Sequence, residues 1–323
     1  MTAEVYLCKI CDSSDTEIVF VNEKMFGTEK PFKYIKCSAC GCLQLAENIS
    51  DMSEFYASDY YSFSRRQSFT GKIKSFFEDH LLKHVALSKM GITDPIGRIA
   101  ARFKEYYEYY FTWISKLHLN KESQILDVGC GSGILLKRLS LLGYKNLHGA
   151  DPFIEKDIVE RNYKVDKKSL YDLTGEYDLI MLHHSFEHMD LPHEVLECLK
   201  KRLKSGGTVL IRIPVIDSYA FEEYGMDWFQ LDAPRHLFLH TRKSIEYLLN
   251  LHGLHVESVI NDSTSNQFLY SERYRYGYGL HDTRYNFSGK RSKYLRKLTK
   301  QLNESDRGDQ ICLIIKKDRN CSR

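Results

Sequence analysis

The chain has 323 residues, 43% of them hydrophobic and 28% charged, with 46 Lys and Arg against 43 Asp and Glu for a formal net charge of +3. This is the composition of a globular protein long enough for two domains, or for one domain with appendages. The near-balance of charge speaks against dedicated nucleic-acid binding, which leaves a strong basic footprint, and no run approaches the roughly 18 apolar residues of a membrane-spanning helix.

The opening MTAEVYLCKI lacks the apolar core of a signal peptide, so a cytoplasmic protein is expected. In that compartment its nine cysteines should be thiols or metal ligands rather than disulfides. They are not scattered. Cys8-Lys9-Ile10-Cys11 and Cys37-Ser38-Ala39-Cys40 form two C-x-x-C knuckles with 25 residues between them. Strand formers sit at both ends of that linker: Ile18, Val19, Phe20 and Val21, then Phe32, Tyr34 and Ile35. Two such knuckles, each giving two thiolates to a tetrahedral ion, resemble a zinc ribbon. The expectation is a zinc-ribbon domain over 1–48, with Cys8, Cys11, Cys37 and Cys40 holding a structural Zn2+. A redox pair or unliganded thiols are the alternatives. Four protein ligands fill the coordination shell and leave the ion no catalytic position. Cys42 is a competing ligand. Cys130, Cys198, Cys312 and Cys321 stand alone and read as buried or indifferent thiols.

Residues 49–118 read as an aromatic tether and helical cover. Tyr56, Tyr60 and Tyr61 lie in a segment dense in Tyr and Ser, either a packing strip or a substrate contact. Helical periodicity follows over 68–90 and 98–118, broken by Pro95 and Gly97.

Residues 124–133, QILDVGCGSG, are the most informative stretch. An apolar strand runs into Asp127, then into alternating Gly129, Gly131 and Gly133, then into a helix pattern from Ile134. Glycines allow a tight turn and close backbone approach, and the helix N-terminus offers free N–H donors and positive dipole charge. Ile134 stands where the dinucleotide fingerprint G-x-G-x-x-G would place its third glycine. The second strand, NLHGAD, ends on Asp151, at about the offset where a carboxylate grips ribose hydroxyls. Asp127 would repel a pyrophosphate and suits a cationic ammonium, such as the methionine part of S-adenosylmethionine (SAM). The pattern therefore points to SAM.

Strand–DVGCGSG–helix, then GAD, then YDLIMLHHSFEHM resembles a class I SAM-dependent methyltransferase over about 100–317. The segments HHSFEH and PRHLFLHT resemble the branch of ubiquinone-methyltransferase-like proteins and of enzymes from polysaccharide gene clusters. Elements alternate through the rest of the chain: helix 133–142, strand 146–150, helix 153–162, strand 163–166, strand 177–182, helix 193–204, strand 208–213, helix 242–252, strand 254–260 and strand 310–316. This alternation predicts an α/β fold with a mostly parallel sheet and helices on both faces, and the resemblance implies a Rossmann-like sheet of seven strands with the last antiparallel. The methyltransferase domain should span 119–323, with a lid-like insertion at about 261–309. The cofactor-binding set is Asp127, Gly129, Cys130, Gly131, Gly133, Asp151, Pro152, Leu170 and His183.

Two histidine clusters fall where the chemistry is expected. HHSFEH follows strand 177–182; there Glu187 and His188 are candidates to orient an acceptor hydroxyl, or are simply packed. The loop DAPRHLFLHT offers Arg235 as a bidentate anion clamp and His236 as the leading general base, with Trp228 and Phe229 upstream to stack on a sugar or ring. The alternative is a structural loop in which Thr241 caps the next helix.

After strand 177–182 there is no N-P-P-Y/F stretch of the kind that resembles amine methylation of bases. With the ribbon, the resemblance implies O-methylation of a sugar or glycan, possibly nucleotide-linked. The enzyme alternative is an RNA methyltransferase using the ribbon and the basic residues Arg273, Arg275, Arg284, Lys290, Arg291, Lys293, Arg296, Lys297 and Lys300. The non-enzyme alternative is a SAM-binding interaction protein.

Overall fold

The computed structural model describes residues 6–49, 52–55, 81, 83–84, 95–96 and 113–318. The tether with Tyr56, Tyr60 and Tyr61, most of the helices expected at 68–90 and 98–118, and Cys321 lie outside the described residues.

Strands β1 (Thr16–Asn22), β2 (Pro31–Cys37) and β3 (Leu43–Leu45) open the chain, and β4 (Gln124–Val128) leads into helix α1 (Ile134–Leu141). Then come β5 (Asn146–Ala150), β6 (Ile158–Val159), β7 (Tyr163–Asp166), β8 (Tyr177–His183), α2 (Pro192–Arg202) and β9 (Leu203–Pro214). The remainder is α3 (Tyr219–Tyr224), β10 (Phe238–Leu239), α4 (Arg242–Leu251), β11 (Leu254–Asn261), α5 (Asn266–Arg275), α6 (Gly289–Glu304) and β12 (Gln310–Lys317). Local chemistry sets several boundaries. Pro192 starts α2, where its missing N–H costs nothing, and Lys200, Lys201 and Arg202 complement the negative end. Thr241 caps α4 in a reciprocal pair with Ser244, as the sequence allowed.

The chain forms two compact units. The second holds 113–183 and Cys198–Leu210. Here β4 pairs in parallel with β5 and β8, and β5 with β7, while β6 runs antiparallel on the edge of β7. Ile125, Leu126, Leu179, Ile180 and Met181 are all fully buried, the signature of strands covered on both faces. The first unit holds the N-terminal segment through Phe55, His184–Glu197 and the chain from Ile211 onward. In it β11 and β12 pair antiparallel, and β1, β2, β3 and β10 make a separate four-stranded sheet.

Among the described residues the α/β strands number eight, where the resemblance implied seven, and the extra one, β6, occupies part of the segment expected as helix 153–162. Side-chain to backbone bonds explain this. The carboxylate of Asp151 accepts from Phe153 N, and that of Asp157 accepts from Lys167 N. These bonds hold turns that compete with a helix.

The expected 261–309 lid is instead two helices, α5 and α6, built into the core of the first unit. Phe268, Leu295 and Leu302 join Val21, Phe32, Tyr34, Trp228 and Leu231 in one buried cluster. Each large apolar side chain buried there contributes about 1.5–3 kcal/mol. The N-terminal strands are therefore part of this unit's core, and the compact units do not follow the boundaries expected at 48 and 118.

Candidate functional site

The glycine loop lies in the second unit. Gly129, Gly131 and Gly133 have φ of +72°, +53° and +75°, a left-handed run that only glycine adopts without strain. Gly129 N donates to Ala150 O at 2.8 Å, stitching the loop to the end of β5. Gly131 N donates to Asp151 Oδ2 at 2.8 Å and Phe153 N to Asp151 Oδ1 at 2.9 Å. The carboxylate of Asp151 is thus aimed by these two backbone donors. Gly149 permits the close approach of β5, since a Cβ there would stand 2.5 Å from Cys130 Sγ and 2.7 Å from Leu136 Cδ1.

Asp127 lies buried in β4, and its carboxylate takes no hydrogen bond among the described residues. Burial first, and the charge of Asp151 second, push it up to about 8. A buried acid without a donor is costly, and a cation placed against it removes that cost. An ionised carboxylate so placed can accept hydrogen bonds from a cationic ammonium. Of the other expected cofactor residues, Leu170 is buried at the start of a 3-10 turn and Pro152 is exposed beside Asp151. Half-buried Cys130 packs toward Gly149. His183 ends β8 with its ring 5.2 Å from that of Trp113.

A second polar site lies in the first unit. His184 and Asp232 both hold positive φ, +52° and +36°, which is strained backbone for residues with a Cβ. Glu187 is fully buried in the 3-10 turn Phe186–His188. Burial works to raise its pKa, but the hydrogen bond with His184 (3.2 Å) and the His184, His188 and His236 charges prevail and hold it at about 2. His236 Nε2 stands 4.0 Å from Glu187 Oε1 and 3.8 Å from Asp232 Oδ2. His236 Nδ1 meets Gln230 O at 2.7 Å, and His188 Nδ1 meets Arg235 O at 2.8 Å. A carbonyl only accepts, so Nδ1 is the donor on each ring. Burial, then His188, pushes His236 down to about 4, so it is neutral at neutral pH.

Glu187, His188 and His236 are thus brought together, while Arg235 has a different place from the one expected. Its side chain is fully buried. Nε bonds both Asp232 oxygens at 3.0 and 3.1 Å, Nη2 bonds Glu23 Oε1 at 3.2 Å and Nη1 bonds Phe55 O at 3.3 Å. A guanidinium so engaged ties the loop to the N-terminal strands and is not presented to an incoming anion. Trp228 is likewise core, its Nε1 donating to Asp309 Oδ2 at 3.2 Å, and Phe229 packs edge-on against Tyr270 at 5.4 Å. Sequence reasoning missed Glu23, His184 and Asp232 as members of this network. The last two lie inside segments already singled out; Glu23 is 212 positions from its partner and carries no local signal.

The four knuckle cysteines converge. Their sulfurs lie within 4.8 Å of one another, with Cys8–Cys40 and Cys11–Cys37 each at 3.6 Å. Zinc bonds of about 2.3 Å to sulfur make a tetrahedron with edges of about 3.8 Å, so the four thiols fit that ion. Cys42 is fully buried and lies outside the set. The knuckles also touch the second site's loop: β3 pairs with β10, Tyr34 OH donates to His236 O at 2.9 Å, and Thr241 Oγ1 donates to Cys40 O at 2.7 Å.

Residues 102–259 match a family described as a methyltransferase domain. The chain is 35% identical over 108 residues to the mitochondrial ubiquinone biosynthesis O-methyltransferase of Saccharomyces cerevisiae, covering 30% of this chain and 35% of that protein. It is 29% identical over 133 residues to a ribosomal protein L11 methyltransferase of Shewanella baltica, covering 38% and 45%. The chain spans less than two thirds of the length of these relatives. A solved structure of a cyclopropane synthase from Mycobacterium tuberculosis aligns over 69% of this chain and 85% of that one, at 16% identity and a TM-score of 0.43. The family match over 102–259, taken with the Asp127–Gly133 turn and its partner Asp151, identifies a methyltransferase domain of the SAM-dependent kind within this chain.

Proposed function

We propose that the chain O-methylates a hydroxyl of a small molecule, with a sugar, free, nucleotide-linked or within a glycan, as the acceptor class. We further propose that a zinc ion in the four-cysteine site is structural and that the protein works in the cytoplasm. The observation that carries the cofactor reading is Asp127, a buried carboxylate with no donor beside a left-handed glycine loop. Asp127 would pair with the ammonium, the loop and α1 N–H groups would meet the carboxylate, and Asp151 would accept from the ribose hydroxyls.

SAM supplies a methyl group already activated on a sulfonium. The chain's own work is then to orient the acceptor and to receive its proton. His236, neutral at neutral pH and holding its Nδ1 proton on Gln230 O, offers Nε2 as the acceptor, and Glu187 lies 4.0 Å from it to stabilise an imidazolium. Similarity to the yeast O-methyltransferase of ubiquinone biosynthesis supports oxygen as the acceptor atom. The sugar class rests on the resemblance of the ribbon and of the PRHLFLHT loop.

The RNA alternative loses four of its basic residues to internal partners. Arg273 bonds Tyr285 O, Leu280 O and Asn286, while Arg275, Arg284 and Arg291 pair with Glu223, Asp282 and Glu272. Among the described residues no helix is long and apolar enough to cross a membrane.

The test is incubation with methyl-labelled SAM and a panel of free sugars, nucleotide sugars, phenols and RNA, followed by mass spectrometry. Label on a sugar hydroxyl is the expected result. Label on RNA would overturn the reading. SAM binding with no transfer to any member would favour the non-catalytic alternative.

A further inference from the structure

We infer that Tyr34, on the N-terminal strand β2, is a positioning residue for His236: its hydroxyl fixes the backbone that carries the imidazole and so keeps Nε2 out of reach of two carboxylates. The inference rests on the reading of His236 as the proton acceptor.

Tyr34 is fully buried, in one cluster with Val21, Phe32, Leu43 and Leu239. Phenylalanine would fill that space equally well, and a buried phenol needs a partner for its O–H. The partner is the carbonyl of His236, 202 positions away, at 2.9 Å. Burial first, and the charge of Asp232 second, hold the phenol well above its usual range, so it stays a donor at neutral pH.

The grip is shared. Across the β2–β3 ladder Tyr34 faces Leu45, whose N–H donates to Leu237 O at 2.9 Å. One cross-strand pair thus holds two consecutive carbonyls of the loop. His236 N donates to Asp232 O at 3.1 Å, and Leu237 N donates to Glu187 O at 2.8 Å.

The hold matters because of what faces the ring. The His236 side chain is 7% exposed, and its Nε2 stands 4.0 Å from Glu187 Oε1 and 3.8 Å from Asp232 Oδ2, both just beyond a hydrogen bond. The His188 ring lies edge-on at 4.8 Å. A displacement of about 1 Å would let Nε2 close on either carboxylate. A carboxylate only accepts, so the imidazole would then carry its proton on Nε2 and could not receive one there.

The test is heteronuclear NMR of the full chain labelled at histidine, with His236→Gln to assign the signal, and circular dichroism and SAM affinity as controls of folding. In wild type at neutral pH, Nδ1 of His236 should carry the proton and Nε2 none. Tyr34→Phe removes one oxygen atom. In that variant the Nε2-protonated form should appear, and the titration of His236 should move up from about 4 toward its ordinary 6.5. Its kcat for methyl transfer should fall about 10–100-fold with SAM affinity unchanged. Val21→Ala, which loosens the same cluster and keeps the hydroxyl, should lower stability and leave the His236 signals unmoved. Unchanged tautomer and titration in Tyr34→Phe, an equal change in Val21→Ala, or a Tyr34→Phe chain that fails to fold, each overturns the inference. The NMR signals report on His236 whether or not it is the base. A moved ring with undiminished methyl transfer would support the hold by Tyr34 and refute His236 as proton acceptor, so the two failures are distinguishable.

Discussion

SAM binding should be linked to release of a proton from Asp127. Burial and Asp151 place this carboxyl at about 8 against its usual 3.8, so the unliganded chain holds it neutral at pH 6–7. An ammonium binds the ionised form. At pH 6 that ionisation costs two units, about 2.7 kcal/mol or a hundredfold in Kd, and at pH 7 about tenfold. Affinity should therefore improve about tenfold per pH unit between 6 and 7. Above about pH 8 the ligand's own ammonium titrates and the gain ends. The folded chain binds more protons than the unfolded one between 3.8 and about 8, so unliganded stability should fall as pH rises through that window, by up to about 1.4 kcal/mol per unit. Calorimetry in two buffers of different ionisation enthalpy measures the linked proton directly. Nearly one proton released per SAM is expected in wild type, and none in Asp127→Asn. Equal affinity at pH 6 and 7 with no proton release would refute the assignment of Asp127 to the ammonium.

Glu23→Gln should lower stability by about 1–3 kcal/mol, because buried Arg235 loses one charged partner while keeping Asp232. An unchanged urea midpoint would show that the tie contributes nothing. Gly149→Ala should cost about 1–3 kcal/mol by overpacking against Cys130 Sγ and Leu136, and Cys130→Ala should recover part of it in a double-mutant cycle. Stripping the four-cysteine metal should raise hydrogen exchange at 237–241, because β10 pairs with β3 and Thr241 bonds Cys40 O; protection unchanged after chelation would separate ribbon from loop. Asp151→Ala should weaken SAM binding strongly, which the same calorimetry reads.

The parallel α/β core was legible because its strands are continuous apolar runs punctuated by glycine, and β4 and β5 match their expected limits. The four cysteines were legible from spacing alone. Helix α5 was not: its buried side includes Gln267, Ser271, Glu272 and Arg273, so no apolar period marks it. In α6 the period is present at Leu295, Leu298 and Leu302, but dense surface charge obscured it. Arg235 and Trp228 looked like recognition residues because an exposed loop and a buried one read alike in sequence. What distinguishes them is Glu23 and Asp309, partners 212 and 81 positions away.

A crystal structure of the chain with SAM tests the Asp127–Asp151 site most directly. The methionine ammonium should lie within hydrogen-bond distance of the Asp127 carboxylate, with both ribose hydroxyls on Asp151. SAM seated away from the Gly129–Gly133 loop, or seated there with its ammonium turned from Asp127, would contradict that assignment.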